Sequence, residues 1–190
     1  SGHRFACVLE CTISRLARPL NSDVELVLTE MIEIKLFNAE HADGVVSVIL
    51  PIQQKEFSIP ITLDAQPDLQ DIPNFYQQGD GNFWVALANR NVVGTVALLD
   101  IGDHRVALRK MFVAAAYRGN EHGVAKKLLD TLLSWCEVCG VREIYLGTTA
   151  KFLAAHRFYE KNGFREVRRD ELPTSFPIMK VDTKFYCRAL

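Results

Sequence analysis

The chain has 190 residues, 48% of them hydrophobic, with 22 Lys+Arg against 23 Asp+Glu; that is enough for one well-filled core and short for two. Near neutrality removes the global attraction that draws a protein to nucleic acid or to an anionic membrane, and no run of about 20 apolar residues provides a membrane span. Five cysteines, Cys7, Cys11, Cys136, Cys139 and Cys187, are too few and too scattered for a secreted disulfide scaffold, so the expectation is a reduced, cytoplasmic protein.

Residues 1–30 differ in character from the rest of the chain. Ser1-Gly2-His3 has the look of a cloning scar, and Phe5 to Cys11, interrupted by Glu10, is too short for the apolar core of a secretion signal. Met31 stands immediately before the first good strand, Ile32 to Leu36. The expected division is an N-terminal extension over 1–30 and a single domain over 31–190; the competing reading is an added edge strand over Val24 to Leu28. Asn38 fits an N-cap for a helix carrying Ala42, Val45, Val46, Ile49 and Leu50 at helical spacing, which Pro51 interrupts or bends. Gln53 to Gly79, with Pro60, Pro67 and Pro73, reads as a long connection around a short helix near Asp71 to Gln77. Connections longer than about 12 residues are often functional. This one carries Glu56, Asp64, Asp68 and Asp71, which beside a cleft could attract a cationic amine; the plainer reading is solvated turn residues and helix caps.

Phe83 to Ala88 and Val92 to Leu99 are strands joined by the turn Asn89-Arg90-Asn91, and Arg105 to Val113 completes an antiparallel meander. The next turn, Tyr117 to Ala125, holds Gly119 and Gly123 and opens into an amphipathic helix over 123–139 with Gly140 as its C-cap. A strand over Glu143 to Leu146, a helix over Lys151 to Asn162, and strands over Phe164 to Val167 and Met179 to Ala189 complete the order. This order predicts an α/β sandwich around a mixed, mostly antiparallel sheet with helices on both faces. Strand, glycine turn and helix start together put unpaired backbone N–H groups and the positive end of a helix dipole beside a strand edge, which is an anion site. The turn is neither a Walker loop, lacking Gly-Lys-Ser/Thr, nor a Rossmann fingerprint. Cys136-x-x-Cys139 falls near a helix C-terminus, where nothing depresses a thiol pKa, and reads as inert packing thiols with no metal.

Two segments resemble the GNAT superfamily of acetyltransferases. Gly123-Val124-Ala125 with the lead-in Val113 and Tyr117-Arg118-Gly119 is similar to its coenzyme A signature, and Ala155-His156-Arg157-Phe158-Tyr159-Glu160-Lys161-Asn162-Gly163-Phe164 to its later helix and strand start. The turn is about two residues longer than the family norm across Asn120-Glu121-His122, and Phe152 stands where the family often has an Asn. The resemblance implies a GNAT-like (acyl-CoA N-acyltransferase) fold in which the glycine-turn strand and the next one splay apart, with the pantetheine arm of acetyl-CoA between them. It implies cofactor contacts at Met111, Phe112, Val113, Arg118, Gly119, His122, Gly123, Val124 and Ala125, and Tyr159 as the acid that protonates the leaving thiolate. The expected reaction moves an acetyl group from acetyl-CoA to a primary amine of a small molecule or peptide; the alternatives are a non-catalytic acyl-CoA sensor and an interaction module of the same fold.

An alkylammonium with pKa near 10.4 costs about 4–5 kcal/mol to deprotonate at pH 7, so a base or water relay matters. No base stands out: the candidates by loop or strand-end position are Glu56, Asp103, His104 and Asp182. The partners expected are acetyl-CoA and an amine, without nucleic acid, membrane or metal; oligomeric state is open, a homodimer included.

Overall fold

The computed structural model describes residues 31–119, 121–150 and 152–190; the extension and the edge strand considered over Val24 to Leu28 lie outside them. Seven strands form one sheet: β1 Ile32–Leu36, β2 Asn82–Ala88, β3 Asn91–Asp100, β4 Arg105–Val113, β5 Glu143–Thr148, β6 Arg165–Val167 and β7 Lys184–Ala189, in the order β1-β2-β3-β4-β5-β7-β6. Every neighbouring pair is antiparallel except β4 and β5. This is the mixed, mostly antiparallel sheet that the element order predicts.

Strand alternation sets the two layers. Trp84, Ala86 and Ala88 of β2 join one core with Leu128 and Leu132 of α4 (Val124–Cys139) and Tyr159 of α5 (Leu153–Lys161). Phe83, Val85 and Leu87 face the other way, toward Val45 and Ile49 of α1 (Ala42–Pro51), Leu69 of α2 (Pro67–Gln70) and Tyr76 of α3 (Ile72–Tyr76). The period of two along a strand thus puts helices on both faces.

Several boundaries differ from the sequence reading. The chain does not leave the helix at Pro51: it continues as a π-helical turn over Ile52–Glu56, with Phe57 N–H bonded to the Ile52 carbonyl at 3.1 Å. A proline ending one helical turn removes a donor, and the wider i→i+5 pattern beyond it does not need that donor. The strand expected from Met179 begins only at Lys184, because Met179 to Asp182 close a tight turn in which Asp182 N–H reaches the Met179 carbonyl at 3.0 Å. The helix expected from Lys151 starts at Leu153, with Phe152 in a non-helical conformation at its N-cap.

The register of β4 holds the feature on which the cleft is built. Ala97 of β3 faces Arg109, whereas Thr95 faces Phe112, so β4 carries one extra residue over that stretch. Lys110, in the bulge, has φ 52, an uncommon conformation for a residue with a long side chain. Two sets of contacts hold it. The Thr95 hydroxyl donates to the Lys110 carbonyl at 2.7 Å, and the Lys110 ammonium reaches Asp68 at 3.0 Å and Gln66 Oε1 at 2.8 Å. Gln66 is paired reciprocally with Gln53, and Asp68 also accepts from the Tyr76 hydroxyl at 2.5 Å. Burial holds the Lys110 ammonium below its usual pKa, against the opposing pull of Asp68.

Thr95→Val should therefore cost about 1–3 kcal/mol, the penalty for orphaning a buried acceptor, measured by urea unfolding. Asp68→Ala should cost more, about 3–5 kcal/mol, since it leaves a buried ammonium without its counter-charge and a buried hydroxyl without its acceptor; a change under about 1 kcal/mol would show that the pair is not a fixed part of the fold.

Candidate functional site

β4 and β5 pair through only three positions, Arg105 with Glu143, Val106 with Ile144 and Ala107 with Tyr145. β4 then runs on to Val113 and β5 to Thr148 with no further pairing between them. The bulge begins just past the last paired position and bends β4 away, since an inserted residue sharpens local twist. Beyond Ala107 and Tyr145 the facing edges of the two strands are not paired with one another, which leaves room for an extended chain to lie between them.

At the far end of β4 lies the glycine turn. Gly123 is left-handed, φ 59, and lacks any side-chain cap for α4. A 16-residue helix with no N-cap side chain leaves its first amides unpaired and directs its positive dipole end outward. Gly123, Val124 and Ala125 thus stand as the sequence placed them, at a helix start beside a strand end. His122 packs its ring against Tyr117 at 5.2 Å; Asn120 is outside the described residues.

Arg118 does something sequence alone did not reveal. Its Nε donates to the Val113 carbonyl at 2.7 Å, and its two terminal nitrogens grip both carboxylate oxygens of Glu56 at 2.7 and 2.9 Å. This bidentate pair ties the π-helical turn to the end of β4. Glu56, a candidate base, therefore has both oxygens engaged. The two residues are 62 positions apart, and no local pattern links them.

The space opened by the parting strands has two parts. One, about 570 Å³, is lined by Met111, Val113, Gly119 and Ala125 and by Ala155 and Tyr159 of α5. The other, about 530 Å³, lies on the α1–α3 side and is lined by Gln66, Asp68, Arg109, Lys110, Gly147 and Asp182. Phe57, Phe112 and Phe152 line both. Phe57 and Phe152 stack with ring centroids 4.0 Å apart, so where the resembled family often offers an amide, this chain has half of an aromatic partition.

Tyr159 is 7% exposed and touches Phe158, Phe164 and Tyr186 with its ring. Its hydroxyl has no hydrogen-bond partner among the described residues, and burial pushes its pKa above the ordinary tyrosine value. It stays a proton donor across the neutral and alkaline range. Asp182, also a sequence candidate, lines the cavity of about 530 Å³. Its Oδ2 accepts from the Met179 amide at 2.9 Å, and a Cβ on Gly147 would collide with that oxygen; only glycine leaves room there for the carboxyl beside the β5 edge. Desolvation raises its pKa, while the Met179 amide and nearby Arg109 pull the other way.

Asp103 and His104 are not brought to this place. They lie in the turn before β4, where the His104 carbonyl accepts from Arg142 N–H at 2.7 Å, at the zipped end of the β4–β5 pair. Nor do the four acids of the long connection form a cation-attracting cluster: Glu56 is paired with Arg118, Asp68 with Lys110, Asp71 caps α3 by accepting from Asn74 N–H at 3.3 Å, and Asp64 is exposed. Cys136 lies in the last turns of α4, and burial pushes its thiol up to about 12, as expected of a packing thiol. Among the described residues no helix is long and apolar enough to cross a membrane.

Comparison with known proteins places this geometry. The model of the acetyltransferase (GNAT) family matches residues 48–164. A GNAT-family acetyltransferase structure from Staphylococcus aureus Mu50 superposes with a TM-score of 0.79 at 42% identity, covering 84% of this chain and 99% of that one. An acetyltransferase structure from Streptococcus agalactiae gives 0.79 at 35% identity, covering 84% and 98%. N-acetylaspartate synthetase of Xenopus tropicalis is 41% identical over 102 residues, which are 53% of this chain and 37% of that protein; the chain thus spans little more than a third of that relative's length. With the splayed strands, the glycine turn and a family match over most of the described domain, the chain belongs to the GNAT family of acetyltransferases.

Proposed function

We propose that the protein transfers an acetyl group from acetyl-CoA to a primary amine of a small molecule or peptide. The observation that carries this reading is the alignment of two features: the unpaired edges of β4 and β5 and the uncapped start of α4 at the end of the same strand. The backbone of Met111, Phe112 and Val113 supplies the edge for a pantetheine arm, and the amides of Gly119 and of His122 to Ala125 the cradle for a diphosphate. Arg118 frames that cradle through Glu56 rather than facing solvent alone. Acetyl-CoA supplies the activated thioester; the chain's own groups do the rest.

Three tasks fall to them. Backbone N–H groups at the bulge stabilise charge on a carbonyl oxygen without reorganising. Tyr159 hands its proton to the departing sulfur as the carbon–sulfur bond breaks, and its buried hydroxyl is held protonated for that purpose. Asp182 takes a proton from the incoming ammonium: it lines the cavity of about 530 Å³, the acceptor side, and a raised pKa brings its basicity nearer to neutrality. Glu56 competes for this role, with both its oxygens held by Arg118. A reducing, cytoplasmic setting suits the free thiols of Cys136, Cys139 and Cys187.

Acetyl-CoA at about 100 times its dissociation constant should stabilise the protein by about 2.7 kcal/mol, read as a rise in thermal midpoint; no rise at millimolar cofactor would sink the reading. Tyr159→Phe should keep that rise and lose about tenfold in kcat, because a thiolate with pKa about 8.5 is already a fair leaving group. In the wild type, no loss of kcat from Tyr159 ionisation should appear below pH about 10. Asp182→Asn should lower kcat at pH 7 by about 100-fold; a larger loss in Glu56→Gln than in Asp182→Asn would transfer the base to Glu56.

A further inference from the structure

Two cations at the acceptor-side cavity form no ion pair among the described residues: Lys180, which is exposed, and Arg109. The cavity's buried cation, Lys110, is matched with Asp68. Arg109, immediately before the bulge, points into the same cavity and forms no ion pair among the described residues; its Nη2 donates to the Met179 thioether at 3.2 Å. A thioether is a weak acceptor, and a guanidinium carries five N–H donors. The residue is half-buried, and Ile59, Ile61, Phe176 and Ile178 form an apolar part of the surrounding wall. A half-buried guanidinium with most of its donors unpaired among the described residues can bind an anion that a ligand brings, and a planar fork suits a carboxylate.

Asp182 is not that anion. It lies close enough for Arg109 to act on its titration, yet no ion pair forms between them. Its oxygen is instead turned to the Met179 amide and the Gly147 backbone. The cavity wall therefore presents a positive pole and a negative pole side by side and unjoined, which matches a molecule bearing an anion and an ammonium a few bonds apart. A diamine would set its second cation against Arg109 and Lys110.

We propose that the acceptor is an amino acid or other amine bearing a carboxylate, and that Arg109 binds this carboxylate with its planar fork while the amine turns toward Asp182 beside Gly147. The inference rests on the acetyl-transfer reading and narrows its substrate. Two parallel N–H···O bonds fix a carboxylate in orientation as well as in place, so Arg109 sets which end of the acceptor meets the thioester.

The test is coenzyme A release by the full chain with the twenty L-amino acids, their carboxamides, and putrescine as probes. Wild type should prefer at least one acid over its amide by about 10- to 100-fold in kcat/KM, the range of hydrogen bonds to a charged group. In Arg109→Met that preference should collapse toward unity, the loss falling on KM, with part restored in Arg109→Lys; Arg109→Glu should shift preference toward putrescine. Thermal midpoints of the variants check that each remains folded. Equal use of acids and amides by wild type, preference for putrescine, or an unchanged acid-to-amide ratio in Arg109→Met would overturn the proposal while leaving acetyl transfer standing. If acetyl-CoA binds but no probe is turned over, calorimetry of the coenzyme A complex with the corresponding N-acetyl amino acids decides: binding in wild type that Arg109→Met abolishes supports the proposal, and no binding refutes it. Failure of acetyl-CoA to bind at all removes the underlying reading, a separate signal.

Discussion

The parting of β4 from β5 is the constraint on which the rest depends. A parallel pair that stops after three positions would normally be filled by side chains or closed by further hydrogen bonds, because unpaired backbone is costly wherever water is excluded. Here the strands are held apart by construction of β4 itself. The extra residue at Lys110 bends it, and the bend is fixed from both sides: by the Thr95 hydroxyl across the sheet and by a buried polar group drawn from α2 and α3. A relaxed, unbulged β4 would bring Arg109 and Phe112 onto opposite faces, since side chains alternate with period two. With the bulge both line the acceptor-side cavity.

Much of this scaffold was legible in the sequence, because it is written locally. Alternation in Phe83 to Ala88, the glycines at 123 and 140 bounding one amphipathic helix, and the paired motifs around Gly123 and Tyr159 each depend on residues a few positions apart. What escaped is non-local. Lys110 reads as an ordinary polar strand residue, yet it meets Gln66 from 44 positions away; Arg118 reads as a phosphate ligand, and its geometry is set by Glu56. Asp182 is one acid among several in the sequence, and only the turn at Met179, standing in place of the expected strand, sets it against Gly147. Two local signals do point to these places: a cationic pair, Arg109-Lys110, in the middle of an otherwise apolar strand, and a lone glycine, Gly147, inside another strand, where close approach of a neighbour is a common reason for it.

The charges of the cleft obey one logic. Groups that support the framework are paired within the protein, as in Lys110 with Asp68 and Arg118 with Glu56, and their exposure decides their energetic weight. Asp68 and Lys110 have side chains 9% and 8% exposed, so breaking that pair leaves a desolvated charge. Arg118 and Glu56, at 42% and 35%, are screened by solvent and act as a geometric tie more than as a source of stability. Arg109, without an ion pair among the described residues, and the Tyr159 hydroxyl, without a hydrogen bond among them, line the two cavities.

The aromatic partition bears on how the two cavities communicate. Phe57 closes the π-helical turn and Phe152 begins α5, so their stack joins the two layers across the gap between β4 and β5. A polar side chain in place of Phe152 would hydrate this junction. The stacked rings instead place apolar surface there, and a lower local dielectric strengthens the electrostatic interactions beside it. The tie between Arg118 and Glu56 holds the last residue of the π-helical turn, one position before Phe57. The glycine turn and the aromatic partition are thus joined through adjacent residues, Arg118 to Glu56 and Phe57 to Phe152.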